Sequence, residues 1–238
     1  MVEKNFLAKR AVVTGATSGI GRAIALRLAE LRATVFALGR QPDAITALDR
    51  QARAARLDLH PSAVELASDE ELQKFANELR STVHILVHAA GYIKHGPVKT
   101  APVNDFDWHY QVNLRAPYVL TQLLLPGLIE TKGHIIFINS SADRPAGPNK
   151  SQYAATKYGL LALAECLREE VKADGVRITN VFLGRVATPM QEAVHKMENR
   201  PYQPEKFIQP EDVATAVVNV LLTPPTAEVG SINIRAAQ

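Results

Sequence analysis

Short runs of β-branched and aliphatic residues alternate along the chain with longer stretches whose apolar positions recur every three to four residues. The first runs are Ala11–Thr14 and Thr34–Leu38, and the amphipathic stretches Ile20–Leu31 and Ile45–Ala55 follow them in turn. This alternation predicts strand–helix–strand units and hence a parallel sheet. Further strands are predicted at Ser62–Leu66, His84–His88, His134–Asn139, Arg177–Leu183 and Ser231–Ile234, with helices at Asp69–Ser81, Asn104–Glu130, Ser151–Ala173 and Pro210–Leu222. Ile85-Leu86-Val87 and Ile135-Ile136-Phe137-Ile138 are apolar at every position, as strands covered by helices on both faces must be. The expectation is an α/β chain built on a doubly wound parallel sheet of about seven strands, with ligands at the carboxyl ends of the strands.

No repeat, linker or shift in composition divides the 238 residues, so one domain is expected. Two segments read as loops that shape a substrate site: Gly91–Val103, and Pro189–Phe207, whose three prolines and mixed charges suggest an irregular lid. Lys and Arg outnumber Asp and Glu only 27 to 24, and the charges are scattered, which argues against a nucleic-acid partner. The N-terminal residues have no apolar signal core, and no run of ~18 apolar residues occurs, so neither secretion nor membrane spanning is expected. The single cysteine, Cys166, excludes an intrachain disulfide and falls in the pattern Leu160, Leu163, Ala164, Leu167, which predicts a buried packing thiol. A cytoplasmic protein fits best. None of the seven histidines is paired at metal-ligand spacing, so no metal is expected. Ser140 lacks the Gly-x-Ser-x-Gly elbow of a serine hydrolase.

Candidate chemistry begins after the first strand, at Thr14-Gly15-Ala16-Thr17-Ser18-Gly19-Ile20-Gly21, which leads directly into a helical pattern. Glycines there permit a tight turn and close approach of main-chain N–H groups to a pyrophosphate, which the helix N-terminus also favours. Gly15, Thr17, Ser18, Gly19, Ile20 and Gly21 are thus candidates to hold a dinucleotide in a Rossmann-type fold. The second strand ends Leu38-Gly39-Arg40, with no acid to bind a ribose 2′-hydroxyl. A guanidinium there suits a 2′-phosphate, so NADP(H) is expected in preference to NAD(H), with Arg22 as a second phosphate candidate.

The spacing Gly-x3-Gly-x-Gly is followed in order by His88-Ala89-Ala90-Gly91, Val112-Asn113-Leu114, Ser140 closing a strand, and Tyr153-Ala154-Ala155-Thr156-Lys157 opening a helix. Over essentially its whole length the chain resembles the short-chain dehydrogenase/reductase family. The resemblance implies hydride transfer between a nicotinamide and a carbonyl or secondary alcohol, with Tyr153 as the acid/base group. Tyr153 and Lys157, four apart, stack on one helix face, and an ammonium near the phenol favours the phenolate. Bringing a tyrosine from ~10 towards neutrality needs a shift of roughly two to three units. By resemblance, Ser140, with Ser141 as the alternative, hydrogen-bonds the substrate oxygen, and Lys157 also binds the nicotinamide ribose. Asn113 marks a helix irregularity whose main chain holds a water linked to Lys157.

The resemblance further implies that Glu65 and Leu66 flank the adenine in preference to Asp58 and Leu59. It places Ala90, Gly91, Gly184, Val186 and Thr188 around the cofactor. Glu65, His88 and Leu183 depart from the residues more common in the family, and His88 reads as a buried polar residue outside the chemistry. One alternative is reduction of a 3-oxoacyl thioester on a carrier protein, docked through Lys94, His95, Lys99 and Arg144. Another is a cofactor-sensing or scaffold protein without catalysis. A homodimer or homotetramer is implied, with Ser151–Ala173 at the interface and Leu160, Leu161 and Leu163 as surplus apolar surface.

Overall fold

The computed structural model of the chain describes residues 5–79, 82–140 and 147–237. Its strands are β1 (Arg10–Thr14), β2 (Thr34–Gly39), β3 (Leu59–Ala63), β4 (Ile85–His88), β5 (His134–Ser140), β6 (Arg177–Leu183) and β7 (Ser231–Ile234). They form one parallel sheet in the order β3-β2-β1-β4-β5-β6-β7, a Rossmann-type arrangement whose order reverses between β1 and β4.

Successive residues of a strand point to opposite faces, and this splits the core in two. Ala11, Val13, Ile136 and Ile138 pack with Ile24 and Leu28 of α1 (Gly19–Glu30), Leu48 of α2 (Pro42–Ala54) and Val213 and Val217 of α8 (Pro210–Leu221). Val12, Ile135 and Phe137 pack with Leu72 of α3 (Asp69–Leu79), Leu120 of α5 (Ala116–Thr131) and Leu160 of α6 (Ser151–Val171). Each such aliphatic side chain, fully withdrawn from water, stabilises the fold by about 1.5–3 kcal/mol. The remaining helices are α4 (Val103–Tyr110) and α7 (Pro189–Met197).

Four expectations are corrected. The third strand lies at Leu59–Ala63 and not at Ser62–Leu66, because Pro61 is tolerated at the edge of the sheet, where a missing N–H costs no internal hydrogen bond. The long helix expected over Asn104–Glu130 is two helices joined by a π turn at Gln111–Arg115, upstream of Pro117, which sits in the first turn of α5. The segment after Thr188 is not irregular throughout. It opens as α7, with the Thr188 hydroxyl accepting from the Gln191 N–H at 3.1 Å and Pro189 in the first turn. Cys166 is exposed, since the buried stripe of α6 runs through Thr156, Leu160, Ala164, Leu167 and Val171 and leaves it on the outer face.

Candidate active site

At the switch point between β1 and β4 the two strand-end turns are locked together by Thr14, a residue the sequence reading passed over. Its buried hydroxyl accepts from the N–H groups of Ala89 and Ala90, each at 3.1 Å. Above it the glycine turn needs its glycines. Gly15 adopts a φ of +65°, and a Cβ on it would stand 2.8 Å from the Ala90 Cα; a Cβ on Gly21 would collide with the Gly15 carbonyl oxygen. Gly19, at φ +48°, faces the Thr188 methyl in the same way. Ser18 precedes α1 in an extended conformation without capping the helix, and no acid occupies the first turn, so the N–H groups at this helix end are available to an anion.

This turn borders a cavity of about 590 Å³ that also takes in the carboxyl ends of β2, β4, β5 and β6. Gly15, Thr17, Ser18, Gly19, Ile20, Gly21, Arg40, Glu65, Leu66, Ala90 and Gly91 line it, as do Gly184, Val186 and Thr188 from the strand β6 side. Arg40 is largely exposed, with its guanidinium 3.8 Å from the Glu65 carboxylate. Arg22 is directed elsewhere and donates to Gln51 at 2.5 Å on α2. Asp58 lies ahead of β3, at the opposite end of the strand from the cavity, bonded to Thr34 and His60. A turn with free N–H groups, an extended cavity and a guanidinium at the end of β2 together have the shape and charge to take a dinucleotide.

Ser140, Tyr153 and Lys157 share the cavity wall. Ser140 ends β5, where the Asn139 side chain accepts from its N–H at 2.8 Å and donates to the Lys157 carbonyl oxygen of α6 at 3.3 Å. The Tyr153 phenol lies beside the Ser140 side chain, which favours its ionised form. The Lys157 ammonium donates to the Ile138 carbonyl oxygen at 3.0 Å and lies 5.9 Å from the centre of the Tyr153 ring. Burial pushes Lys157 down to about 8. Burial also pushes the Tyr153 phenol above its ordinary value, and the Ser140 side chain opposes this only in part.

Asn113, in the π turn, is 1% exposed. Its side-chain oxygen accepts from the Tyr92 N–H at 2.7 Å, and its amide donates to the Tyr92 carbonyl oxygen at 2.9 Å and to the Thr156 hydroxyl at 3.1 Å. It thus ties the segment after β4 to the helix that carries Tyr153. His88 is buried against Phe137, shares a 2.8 Å hydrogen bond with Thr121, and is held neutral by burial and by the charge of Lys157, at about 3. Ser141 and Arg144 lie outside the described residues. Of the other candidate docking residues, Lys94 is paired with Asp105 at 2.9 Å, Lys99 is exposed, and His95 is turned into the cavity. Leu160 is core, Leu161 lines the cavity and Leu163 packs against the core; none of the three contributes a surplus exposed patch. No helix among the described residues is long and apolar enough to cross a membrane.

Comparison with known proteins agrees with this geometry. The chain is 30% identical over 229 residues to an uncharacterized oxidoreductase of Staphylococcus aureus (strain N315), covering 95% of this chain and 96% of that one. Its structure is similar to that of a metagenomic short-chain oxidoreductase in complex with NADP, with a TM-score of 0.84, 29% identity, and coverage of 98% of this chain and 99% of that one. It is also similar to a putative NAD(P)-dependent gluconate 5-dehydrogenase from Beutenbergia cavernae with bound NADP, with a TM-score of 0.86, 28% identity, and coverage of 97% and 96%. The family model for short chain dehydrogenases matches residues 9–199. The chain belongs to the short-chain dehydrogenase family, as an oxidoreductase.

Proposed function

We propose that the chain is an NADP(H)-dependent oxidoreductase that interconverts a carbonyl compound and a secondary alcohol, with Tyr153 as its acid/base group. The observation that carries this reading is the meeting of Ser140, Tyr153 and the buried Lys157 on one wall of the cavity that also holds the glycine turn. NADP(H) is favoured by Arg40 at the end of β2, and two structural relatives hold NADP.

The nicotinamide, when bound, supplies or accepts the hydride. Ser140 and Tyr153 present two hydroxyls to one substrate oxygen, which polarises a carbonyl and stabilises the charge that develops on it. Tyr153, kept protonated by burial, delivers its proton to the nascent alkoxide. The Lys157 ammonium stabilises the resulting phenolate, and its protons not used on Ile138 are free to hold the ribose. Asn113 is a positioning residue that fixes Tyr92 against α6, while a water held by the main chain of the π turn would pass a proton through Lys157 to the Tyr153 phenolate and so restore the phenol. In the reverse direction each step runs backwards. We place the reaction in the cytoplasm and assign the chain a homodimer or homotetramer. The oligomer reading is supported by exposed Trp108, Tyr118 and Tyr158 on α4, α5 and α6.

The test follows nicotinamide absorbance with NADPH and NADH separately against ketones, aldehydes, quinones and 3-oxoacyl thioesters. NADPH oxidation by one carbonyl class, faster than with NADH, is the expected result. No turnover with either cofactor would overturn the reading in favour of a non-catalytic protein.

A further inference from the structure

Beyond the Ser140–Tyr153 pair the cavity wall carries a second set of polar groups that the chemistry above does not use. Lys150 at the start of α6, His95 after β4, Arg185 after β6 and Glu198 at the end of α7 all line it. Glu198 is the hub, with its carboxylate 2.9 Å from Arg185, 3.5 Å from Lys150 and 3.8 Å from Arg200. Burial would raise this carboxyl, but the Arg185 hydrogen bond and the charges of Arg185 and Lys150 outweigh it and hold it below the ordinary range. Glu198 is therefore ionised, and among the described residues three permanent cations surround one carboxylate.

The surplus is held in place. The Arg185 guanidinium lies 2.8 Å from His195 Nε2 and 2.9 Å from the Glu198 carboxylate, and so is fixed between the ring and the acid. His95, kept neutral chiefly by burial, has a buried Nε2 with no hydrogen-bond partner among the described residues. These groups belong to the β4–β6 half of the sheet, whereas the glycine turn and Arg40 belong to β1 and β2, so the cofactor's phosphates do not account for them. Arg185 is partly buried and Lys150 reaches the cavity from its more exposed rim, and one carboxylate leaves part of their charge unmatched, which suits an anionic group between them.

We infer that the substrate carries an oxyanion, a carboxylate or a phosphate, in addition to its reacting carbon, and that Lys150 and Arg185 hold it with His95 as a neutral hydrogen-bonding neighbour. The inference rests on the carbonyl-reduction reading and names the substrate class of that same site. An arginine fork and an ammonium recognise both oxyanions, so the experiment separates them.

The test is NADPH-driven reduction of linear keto acids, with the carboxylate at increasing distance from the carbonyl, beside their methyl esters and the matching keto phosphates. The best acid or phosphate is expected to exceed its neutral partner roughly tenfold in kcat/KM, through KM. The larger of the two ratios identifies the oxyanion. Arg185→Met and, because that residue also braces α7, the more exposed Lys150→Met are each expected to lower the ratio at least about threefold. Esters reduced as well as acids and phosphates would overturn the inference and leave the reading standing, as would a preference that neither variant moves. If no carbonyl compound in the panel is reduced, both fall together.

Discussion

The Arg40 guanidinium, 3.8 Å from the Glu65 carboxylate, is shared between an internal acid and the position a 2′-phosphate takes. Charge-assisted bonds to phosphate contribute roughly 1.5–3 kcal/mol, so Arg40→Leu is expected to lower the preference for NADPH over NADH by about 10- to 100-fold. Glu65→Gln removes the competitor and should raise that preference; dissociation constants from fluorescence titration check both. Lys157 gives a pH signature. Its value of about 8 means that the ammonium is present at neutrality and lost as pH rises through about 8, so kcat/KM for NADPH, which reports the free protein, should fall above that pH. A profile for carbonyl reduction that is flat from pH 7 to 9 would contradict the role given to this ammonium. These two residues were legible in sequence, but the position of the Lys157 charge was not. Four-residue spacing fixes a shared helix face, whereas the carbonyl of Ile138 that captures the ammonium comes from another strand.

The π turn at Gln111–Arg115 sets Asn113 so that one amide closes on Tyr92 twice and on Thr156 once. Asn113→Ala removes the partner of the part-buried main-chain groups of Tyr92, which is expected to cost about 1 kcal/mol and to lower kcat more than it raises KM. Urea unfolding with steady-state kinetics checks this, and an unchanged kcat would remove Asn113 from the positioning of Tyr153. Periodicity identified the strands of the sheet interior because their centres are unbroken apolar runs, Ile85–Val87 in β4 and Ile135–Ile138 in β5. It misplaced β3, where an edge position tolerates Pro61 and alternates weakly, and it merged α4 with α5, since one inserted residue in a π turn leaves the apolar pattern almost unchanged. The helix α7 was signalled by Thr188-Pro189 at its start, although prolines further on suggested a loop. The cationic wall had no sequence signature at all. Lys150, Arg185 and Glu198 are separated in the chain and meet only through the ends of α6, β6 and α7.

Across the whole molecule, His88 and His134 are buried neutral, each with its value pushed down to about 3 mainly by loss of water. Unfolded imidazoles take up a proton near 6.5 while these two refuse it until about 3, so their contribution to stability is intact above 6.5 and is lost as pH falls between the two values. The loss approaches about 1.4 kcal/mol per pH unit for each ring, and His134→Gln is expected to flatten the fall in unfolding free energy between pH 6.5 and 4.5. Urea titrations across that range check it. The sheet, its two cores and the switch point exist to bring the end of β5 and the start of α6 to one cavity, and the central claim is that Tyr153 transfers a proton there. Its most direct test is Tyr153→Phe, which keeps the ring and removes the hydroxyl, assayed for NADPH-driven carbonyl reduction beside NADPH binding. A fall in kcat of at least about 100-fold, with NADPH affinity unchanged, is expected for a lost acid/base group; a phenylalanine variant that turns over as fast as the native chain would contradict the account.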